Sequence, residues 1–245
     1  MRLLDLFCGA GGAAVGYSRA GFTEIVGVDC VKQPRYPFTF VRGDALKYLA
    51  AHGREFDAIH ASPPCQRYTP LAKMWNAQAH PDSVPPTRAT LQAVGRPWVM
   101  ENVPGAPMRC AVMLCGTMFG LGTAVAELRR HRLFELSDAF ALAPSCQHGW
   151  KAQTIAVYGH AGGHSTRTRE RLVIGVYGGG QQRGGKQNRA TLRQLRASPQ
   201  MFNTAARREA MGIDWMTGNE LSQAIPPAYT EWVGARLMEA MCSAR

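Results

Sequence analysis

The first hundred residues alternate short apolar runs with turns and helical patterns, and this alternation limits the possible folds more than any other feature. Five runs have the length and composition of strands: residues 3–7, 24–30, 38–44, 56–62 and 97–103. Helical patterns cover residues 13–20 and 44–53, the second with Asp44 as N-cap and Gly53 just beyond its end. Strands that alternate with helices predict an α/β fold: a mostly parallel sheet with helices on both faces.

The polar and glycine residues that follow these strands are the candidate site. In parallel sheets, ligands bind at the carboxyl ends of the strands. A CGAGG turn, Asp29, Asp44, a PPCQ segment and an ENV segment all fall at such ends. The sequence therefore predicts one site along one edge of the sheet.

The turn after the first strand, in DLFCGAGG, carries glycines at positions 9, 11 and 12. Glycine there lets the backbone approach a ligand and presents amides at a helix N-terminus. The pattern also fits a plain strand-to-helix turn or a dinucleotide site. The GxGG spacing and the absence of a phosphate-binding lysine favour an amino-acid-containing ligand such as S-adenosylmethionine.

Two carboxylates extend this ligand hypothesis. Asp29 ends the second strand, where a carboxylate can accept hydrogen bonds from both ribose hydroxyls of an adenosine ligand. Asp44 ends the third strand and could meet the adenine amino group, although it is also a good helix N-cap, and the two roles are compatible.

Cys65 follows two consecutive prolines, Pro63 and Pro64, which fix the backbone in front of it. A thiolate is the reactive form of cysteine and nearby positive charge favours it, so Arg67 could help. Most single cysteines are structural, but the double proline and the strand-end position favour a nucleophile.

Glu101 lies in the ENV segment among apolar neighbours. This environment predicts that the pKa of its carboxyl group is raised, which suits a proton donor. The alternative is that Glu101 and Asn102 only brace a loop.

The positive charge is concentrated in one segment. The formal net charge is +11, and residues 151–208 contain eleven Lys or Arg and a single acid, Glu170. Because soluble surfaces normally mix signs, this segment predicts a nucleic-acid partner. The composition becomes glycine-rich after residue 137, and this predicts a small, loop-rich recognition lobe over residues 137–202.

The C-terminal part returns to helical patterns, over residues 202–212 and 226–241. In the second helix an apolar stripe predicts packing against the first domain; it consists of Trp232, Val233, Leu237 and Met241. The predicted division is thus 1–136 catalytic, 137–202 recognition, and 203–245 returning to the catalytic domain.

Several classes of protein are disfavoured. No run of 18 apolar residues and no signal-peptide core occur, so we expect a cytoplasmic protein without membrane contact. Seven cysteines at scattered spacings do not suggest disulfides. Cys146, His148, His160 and His164 have spacings compatible with zinc, and Cys110 with Cys115 form a weaker pair. Because these are not standard finger spacings, the sequence predicts no metal.

Taken in order, DLFCGAGG, PPCQ, ENV, RRHR and AIPPAY resemble the motifs of the DNA cytosine-5 methyltransferase family. The resemblance covers residues 1–136 and roughly 203–241 and implies a Rossmann-like, S-adenosylmethionine-dependent fold. It implies that Cys65 adds to C6 of a flipped-out cytosine while Glu101 engages N3 and the exocyclic amine. Arg130 and Arg132 match the arginines of the QxRxR motif, the second of which reaches the base. C5 then takes the methyl group, and S-adenosylhomocysteine is the second product.

The resemblance also implies the remaining contacts. The cofactor residues it implies are Phe7, Gly9, Gly11, Gly12, Asp29, Cys30, Asp44, Ala45, Pro63, Gln223 and Ala224. The DNA-contacting residues are Gln66, Arg67, Arg183, Lys186, Gln187, Asn188 and Arg189, the last five in a glycine-rich loop. The expected partner is double-stranded DNA, bound by a monomer of bacterial or phage type.

Three departures from the family pattern keep alternatives open. Asp29 stands where the family usually has Glu, Leu128 replaces the Gln of QxRxR, and Gln223 replaces Asn before the Pro-Pro pair. The alternatives are an RNA cytosine-5 methyltransferase, transfer of a larger group from a variant sulfonium cofactor, and a catalytically silent DNA-binding protein.

Overall fold

A computed structural model describes residues 1–69, 80–124, 126–137, 145–146, 148 and 204–243, together with the backbone of strands 153–156 and 173–175. The strands are β1 Arg2–Leu6, β2 Glu24–Asp29, β3 Thr39–Arg42, β4 Ala58–Ala61, β5 Trp98–Asn102, β6 Val112–Leu114, β7 Ala126–Arg129, β8 Arg132–Leu136, β9 Gln153–Ala156 and β10 Val173–Gly175. The helices are α1 Gly12–Arg19, α2 Ala45–His52, α3 Val84–Val94, α4 Thr204–Met211, α5 Gly218–Gln223 and α6 Pro227–Ser243.

Seven of these strands form one sheet in the order β3-β2-β1-β4-β5-β8-β6. The first five run parallel, whereas β8 is antiparallel to both β5 and β6. The predicted α/β class is therefore confirmed, and each of the five predicted strands is present to within two residues at either end. Parallel order brings the carboxyl ends of β1 to β5 to a single edge, as predicted.

Side chains of β1 alternate between two apolar cores because successive residues of a strand point to opposite faces. Leu3 lies in the core that includes Tyr17 of α1 and Val233 of α6. Leu4 lies in the opposite core with residues of α2 and α3, among them Leu49 and Leu91. Helices thus cover both faces of the sheet.

The C-terminal helix α6 packs closely against α1. Gly16 of α1 lies against the Thr230 side chain and the Pro227 carbonyl, so no larger residue fits there. The Thr230 hydroxyl donates to the Ala13 carbonyl at 2.8 Å. Val233 and Leu237 of the predicted apolar stripe are buried, and Trp232 and Met241 are partly buried against the same core. The C-terminal helix therefore packs against α1 and the core on that face of the sheet.

A second, three-stranded parallel sheet has the order β10-β9-β7. Its strand β7 precedes residue 137, so this sheet begins inside the range predicted as catalytic. His160 and His164 lie outside the described part of the chain. So do the predicted base-reading residues Arg183, Lys186, Gln187, Asn188 and Arg189.

One buried ion pair ties β8 to the helix α3. Arg88 contacts both oxygens of Glu135, at 2.5 and 2.7 Å, and both side chains are almost fully buried. Glu135 also accepts from the Arg109 amide at 2.7 Å. This network fastens β8, which pairs with the ENV strand β5, to the helix α3. Within the described residues, no helix is long and apolar enough to cross a membrane.

Candidate active site

The glycine loop between β1 and α1 adopts a conformation that requires glycine at several positions. Phe7 and Gly9 have positive φ angles of 56° and 49°, and Gly11 has φ 85°. A Cβ on Gly11 would lie 2.6 Å from Pro37, whereas a Cβ on Gly9 would meet nothing within 4 Å. Open space therefore lies beside Gly9, where the sequence predicts a ligand.

The C-terminal motif lies directly against this loop. A Cβ on Gly12 would collide with the carbonyl of Ile225, which belongs to the AIPPAY segment. Trp215 closes the loop from the same side, since its indole N–H donates to the Ala10 carbonyl at 2.8 Å. Gln223 is exposed and Ala224 is buried at the end of α5. Residues more than 200 positions apart in the chain thus form one wall.

The two predicted adenosine-binding carboxylates, Asp29 and Asp44, accept hydrogen bonds from different backbone amides. Asp29 Oδ2 accepts from the Gly9 amide at 3.1 Å and Oδ1 accepts from the Val31 amide at 2.9 Å. Asp29 is partly exposed, and Cys30 beside it is exposed. Asp29 therefore links the glycine loop to the end of β2 and still faces solvent.

Asp44 caps α2, as the sequence predicted. Its Oδ1 accepts from the amides of Leu46 and Lys47 at 2.9 and 3.0 Å. Asp44 is exposed and Ala45, the first residue of the helix, is buried. The capping interpretation is confirmed, and the contact with adenine remains a prediction.

Asp5 is a buried carboxyl group behind the glycine loop. Tyr36 donates a hydrogen bond to Oδ2 at 3.1 Å, and Oδ1 has no hydrogen-bond partner among the described residues. Burial raises the pKa of Asp5 to about 7, against a lowering by Tyr36 and a further rise from Asp29. Asp5 is therefore protonated in the folded protein at mildly acidic pH and becomes a buried charge as the pH rises.

This pKa predicts a pH-dependent stability. Because the folded-state pKa lies above the unfolded value of 3.8, the contribution of Asp5 is fully present below that value and is lost as the pH rises towards 7. The size of the loss is about 1.4 kcal/mol for each unit by which the pKa is raised. We expect Asp5→Asn to remove this loss, so that the variant gains stability relative to wild type between pH 4 and 8. Urea unfolding across that range measures it; a constant difference would contradict the assignment.

Cys65 stands at the carboxyl end of β4, in a segment held by neighbouring motifs. The Asn102 side chain donates to the Pro63 carbonyl at 2.9 Å, and the Tyr68 amide donates to the Cys65 carbonyl at 2.9 Å. Ser62 donates to the Phe7 carbonyl at 3.2 Å, which joins the segment to the glycine loop. The PPCQ segment is therefore fixed from both neighbouring strands.

The charge around Cys65 differs from the sequence prediction. Burial raises the pKa of the Cys65 thiol and Glu101 raises it further, while Arg132 and, more weakly, Arg130 lower it. Arg67, predicted to help, instead donates to the His80 carbonyl at 3.1 Å. The expectation that Arg67 supports the thiolate is therefore corrected, because proximity in sequence does not place its guanidinium beside the sulfur. Gln66 is exposed and Arg67 partly exposed, so both remain candidates for DNA contact.

Glu101 is buried at the end of β5 and pairs with Arg132. Glu101 Oε1 lies 2.9 Å from Arg132 Nε, a close ion pair without the alignment of a hydrogen bond. Burial raises the pKa of Glu101, and Arg132 and Arg130 oppose that rise. The raised pKa agrees in direction with the sequence prediction. Arg132 acts on both Glu101 and Cys65, so the three side chains form one electrostatic unit.

Arg130 has a different environment from Arg132. Only 1% of its surface is exposed, and its Nη2 donates to the carbonyls of Ser222 and Ala224 at 3.0 and 2.8 Å. Tyr229 in turn donates to the Arg130 carbonyl at 2.5 Å. Burial lowers the pKa of Arg130 to about 9, with Arg132 adding to the decrease. Arg130 therefore holds the C-terminal motif in place beside the site.

Two residues that support the glycine loop, Tyr36 and Trp215, were not identified from the sequence. Tyr36 lies against Gly27, Gly11 and Asp5, and Trp215 holds the Ala10 carbonyl. Neither belongs to a motif with a chemical signature. The only signal was that each is a large aromatic in a predicted loop, which is not specific.

The residues at the glycine loop fit an S-adenosylmethionine-type ligand. Space is open beside Gly9, Asp29 presents a partly exposed carboxylate at the end of β2, and Asp44 is exposed at the end of β3. The carboxylates suit ribose hydroxyls and an adenine amino group, and the loop carries no phosphate-binding lysine. The donors and acceptors present are therefore compatible with that ligand.

Comparison with known proteins finds similarity to DNA methyltransferases. No protein-family model matches the chain. The type II methyltransferase M.XorII of Xanthomonas oryzae pv. oryzae is 29% identical over 118 residues, which span 42% of this chain and 28% of that protein. A putative DNA modification methyltransferase encoded within an E. coli prophage superposes with a TM-score of 0.55 at 14% identity, covering 99% of both chains.

These comparisons define the class of protein at the level of fold. The chain shares its fold with that putative DNA modification methyltransferase, and the partial sequence match supports a DNA methyltransferase family without distinguishing the cytosine-5 class. The sequence match spans about a quarter of the relative's length. The reaction, the base and the position methylated are therefore matters for proposal.

Proposed function

We propose that this protein is a DNA cytosine-5 methyltransferase that uses Cys65 as a covalent nucleophile. The observation that carries the proposal is the electrostatic unit of Cys65, Glu101 and Arg132 at the carboxyl ends of β4 and β5. A methyltransferase acting on an exocyclic amine attacks with the amine lone pair and needs no cysteine. A fixed thiol beside a buried carboxyl group suits attack at ring carbon.

The chemistry explains each residue type. The Cys65 thiolate adds to C6 of cytosine, the π pair of the C5=C6 bond forms a new C4=C5 double bond, and the π pair of the C4=N3 bond moves onto N3. Glu101, whose pKa is raised by burial, shares a proton with N3 and accepts from the exocyclic amine, so it stabilises the charge that develops. C5 is then a carbon nucleophile. After C5 is alkylated, a base removes its proton, the thiolate leaves C6, and the aromatic ring is restored.

Arg132 has two tasks in this scheme. Its guanidinium faces Glu101 at 2.9 Å and lowers the pKa of Cys65, so it favours the thiolate. With the base present, a planar guanidinium at this position can also donate to the cytosine carbonyl. Arg130 acts through the C-terminal motif and is a positioning residue.

S-adenosylmethionine, when bound, supplies an electrophilic methyl group. The residues that would hold it are those of the glycine loop, Asp29 and Asp44, with Ala224 and Gln223 on the neighbouring wall. Phe7, Cys30, Ala45 and Pro63 complete the predicted set. This chain has Gln223 where the family usually has Asn. Because Gln223 is exposed and the neighbouring Ala224 carbonyl is held by Arg130, this replacement leaves the wall formed by the C-terminal motif in place.

Double-stranded DNA is the proposed substrate because of the charge distribution. The net charge of +10 over residues 151–208 suits a phosphate backbone, and extrusion of the target base costs a few kcal/mol that such contacts can offset. Salt should therefore weaken binding steeply. The predicted recognition loop at residues 176–189 lies outside the described part of the chain and remains a proposal.

The test is nucleoside mass spectrometry of DNA incubated with the protein and S-adenosylmethionine. The proposal predicts 5-methylcytosine as the modified nucleoside. N4-methylcytosine or N6-methyladenine would place the chain among exocyclic-amine methyltransferases and leave Cys65 without a role. Parallel reactions with transfer RNA and with a larger-group sulfonium analogue address the two other enzymatic alternatives, and cofactor titration addresses a silent DNA-binding protein.

A further inference from the structure

Four side chains from three separate segments converge next to the candidate site. They are Cys115 after β6, His131 in the short link between β7 and β8, and Cys146 with His148 beyond β8. One ligand atom from each residue lies within 4.8 Å of every other. We propose that this Cys₂His₂ group, here named the 115/131/146/148 cluster, is a structural zinc site.

The distances within the cluster resemble those around one tetrahedral ion. Cys115 Sγ and His148 Nε2 are 3.5 Å apart, and Cys146 Sγ and His131 Nε2 are 3.4 Å apart. Ligands at ~2.3 Å (sulfur) and ~2.0 Å (nitrogen) from zinc are about 3.5 Å from each other in a tetrahedron. The Cys146–His148 contact, at 2.6 Å, is shorter and has to open by about 1 Å around an ion.

The chemistry of the donors selects the metal. Two thiols and two imidazoles, with no carboxylate, form the soft and borderline set that structural zinc prefers over magnesium or calcium. Thr117 donates from its hydroxyl to Cys115 Sγ at 3.4 Å and lies 3.6 Å from Cys146 Sγ. This hydroxyl supplies the outer-shell support that thiolate ligands usually have. Protein side chains would fill all four coordination positions of the ion, which is typical of a structural rather than a catalytic zinc site.

The position of the cluster indicates what the ion would do. His131 stands between Arg130 and Arg132, and its carbonyl accepts from Arg132 Nη1 at 2.8 Å. Cys146 and His148 belong to the predicted recognition lobe, whereas Cys115 directly follows β6 of the seven-stranded sheet. A zinc ion here would join the start of the lobe to the link that carries both arginines. The proposal departs from the sequence expectation of no metal, and its ligands include His131 and Cys115 where the spacing pattern had offered His160 and His164.

Metal analysis of the full chain, purified under reducing conditions without chelator, tests the site. We expect about one zinc per chain, and on replacement with Co²⁺ the intense visible bands of tetrahedral geometry together with thiolate-to-cobalt charge-transfer bands. Cys146→Ser and His148→Ala should each lower Co²⁺ affinity by more than about 100-fold, beyond the loss typical of an outer-shell partner. Both side chains are at least partly exposed, so the variants should fold, as circular dichroism checks.

Cys242→Ser and Cys110→Ser are the matched controls, since both thiols are free and exposed and lie outside the cluster. They should keep full metal content. The proposal is overturned if the wild-type chain binds neither zinc nor Co²⁺, if Cys115 and Cys146 prove to be disulfide-bonded, or if Cys146→Ser keeps the Co²⁺ affinity and the charge-transfer intensity of the wild type. Because these readouts need no substrate, they are independent of the proposed reaction.

Discussion

Replacing Cys65 with serine is expected to lower the rate of cytosine methylation by a factor on the order of 10⁴ or more, as removal of a covalent nucleophile does in other enzymes. Serine keeps the size and the position of the side chain, but its hydroxyl is far less acidic than a thiol and does not add to C6. The rate of methyl transfer from labelled S-adenosylmethionine to DNA measures the change.

The matched control for this variant is Cys242→Ser, which replaces an exposed thiol at the end of α6. It should methylate DNA at the wild-type rate. Cofactor affinity of Cys65→Ser, measured by calorimetry, should stay within about threefold of wild type, because the glycine loop and Asp29 are untouched. Methylation by Cys65→Ser at a rate close to wild type would show that the thiol is not the nucleophile.

Glu101→Gln is expected to lower kcat by about 10²- to 10³-fold, the loss typical of one electrostatic contact to the transition state. Glutamine keeps the shape of the side chain and can still donate to N3, but it cannot transfer a proton there, so residual activity is expected. The variant also leaves Arg132 without its 2.9 Å partner.

The pH profile separates this role from a merely structural one. Burial raises the pKa of Glu101, so the wild-type kcat should decline on the alkaline side as that carboxyl group loses its proton. In Glu101→Gln the same limb should be flat. Glu127→Gln changes a carboxylate of the nearby strand β7 and serves as the control. An unchanged alkaline limb in Glu101→Gln would contradict the proton-donor role.

The sequence predicted the fold because its signals are local. Buried strands with β-branched and apolar residues, an aspartate N-cap at residue 44 and a glycine at residue 53 each act over a few residues. The order of the strand ends then follows from the parallel arrangement, which is why Asp29, Cys65 and Glu101 were assigned correctly to one edge of the sheet.

The contacts between motifs could not be predicted in the same way. The Asn102–Pro63 bond spans 39 positions and the Arg130–Ala224 bond spans 94. Such pairs form only when the chain has closed, and the local pattern of one motif does not show which other motif it will contact. For the same reason, Arg67 was placed beside Cys65 by proximity in sequence, whereas Arg132, 67 positions away, exerts the larger effect on its pKa.

The 115/131/146/148 cluster, proposed above as a zinc site, illustrates the same limit. The pair Cys146 and His148 was visible as a spacing, but its partners Cys115 and His131 lie 31 and 15 residues before Cys146, on either side of β7. Standard finger spacings place all ligands in one short segment, so a site assembled across a sheet has no comparable signature. Folding, and not spacing, brings these four side chains together.

Trapping the covalent intermediate tests most directly whether Cys65 is the nucleophile. Duplex DNA synthesised with 5-fluorocytosine in place of cytosine is incubated with the protein and S-adenosylmethionine, and the products are digested and analysed by mass spectrometry. Because fluorine cannot leave C5 as a cation, the bond between sulfur and C6 persists after methyl transfer. A covalent mechanism through Cys65 predicts one modified peptide, containing Cys65 linked to a methylated fluorocytosine. Methylation of ordinary DNA by the same preparation without any adduct on the fluorinated duplex, or an adduct on another cysteine, would contradict it.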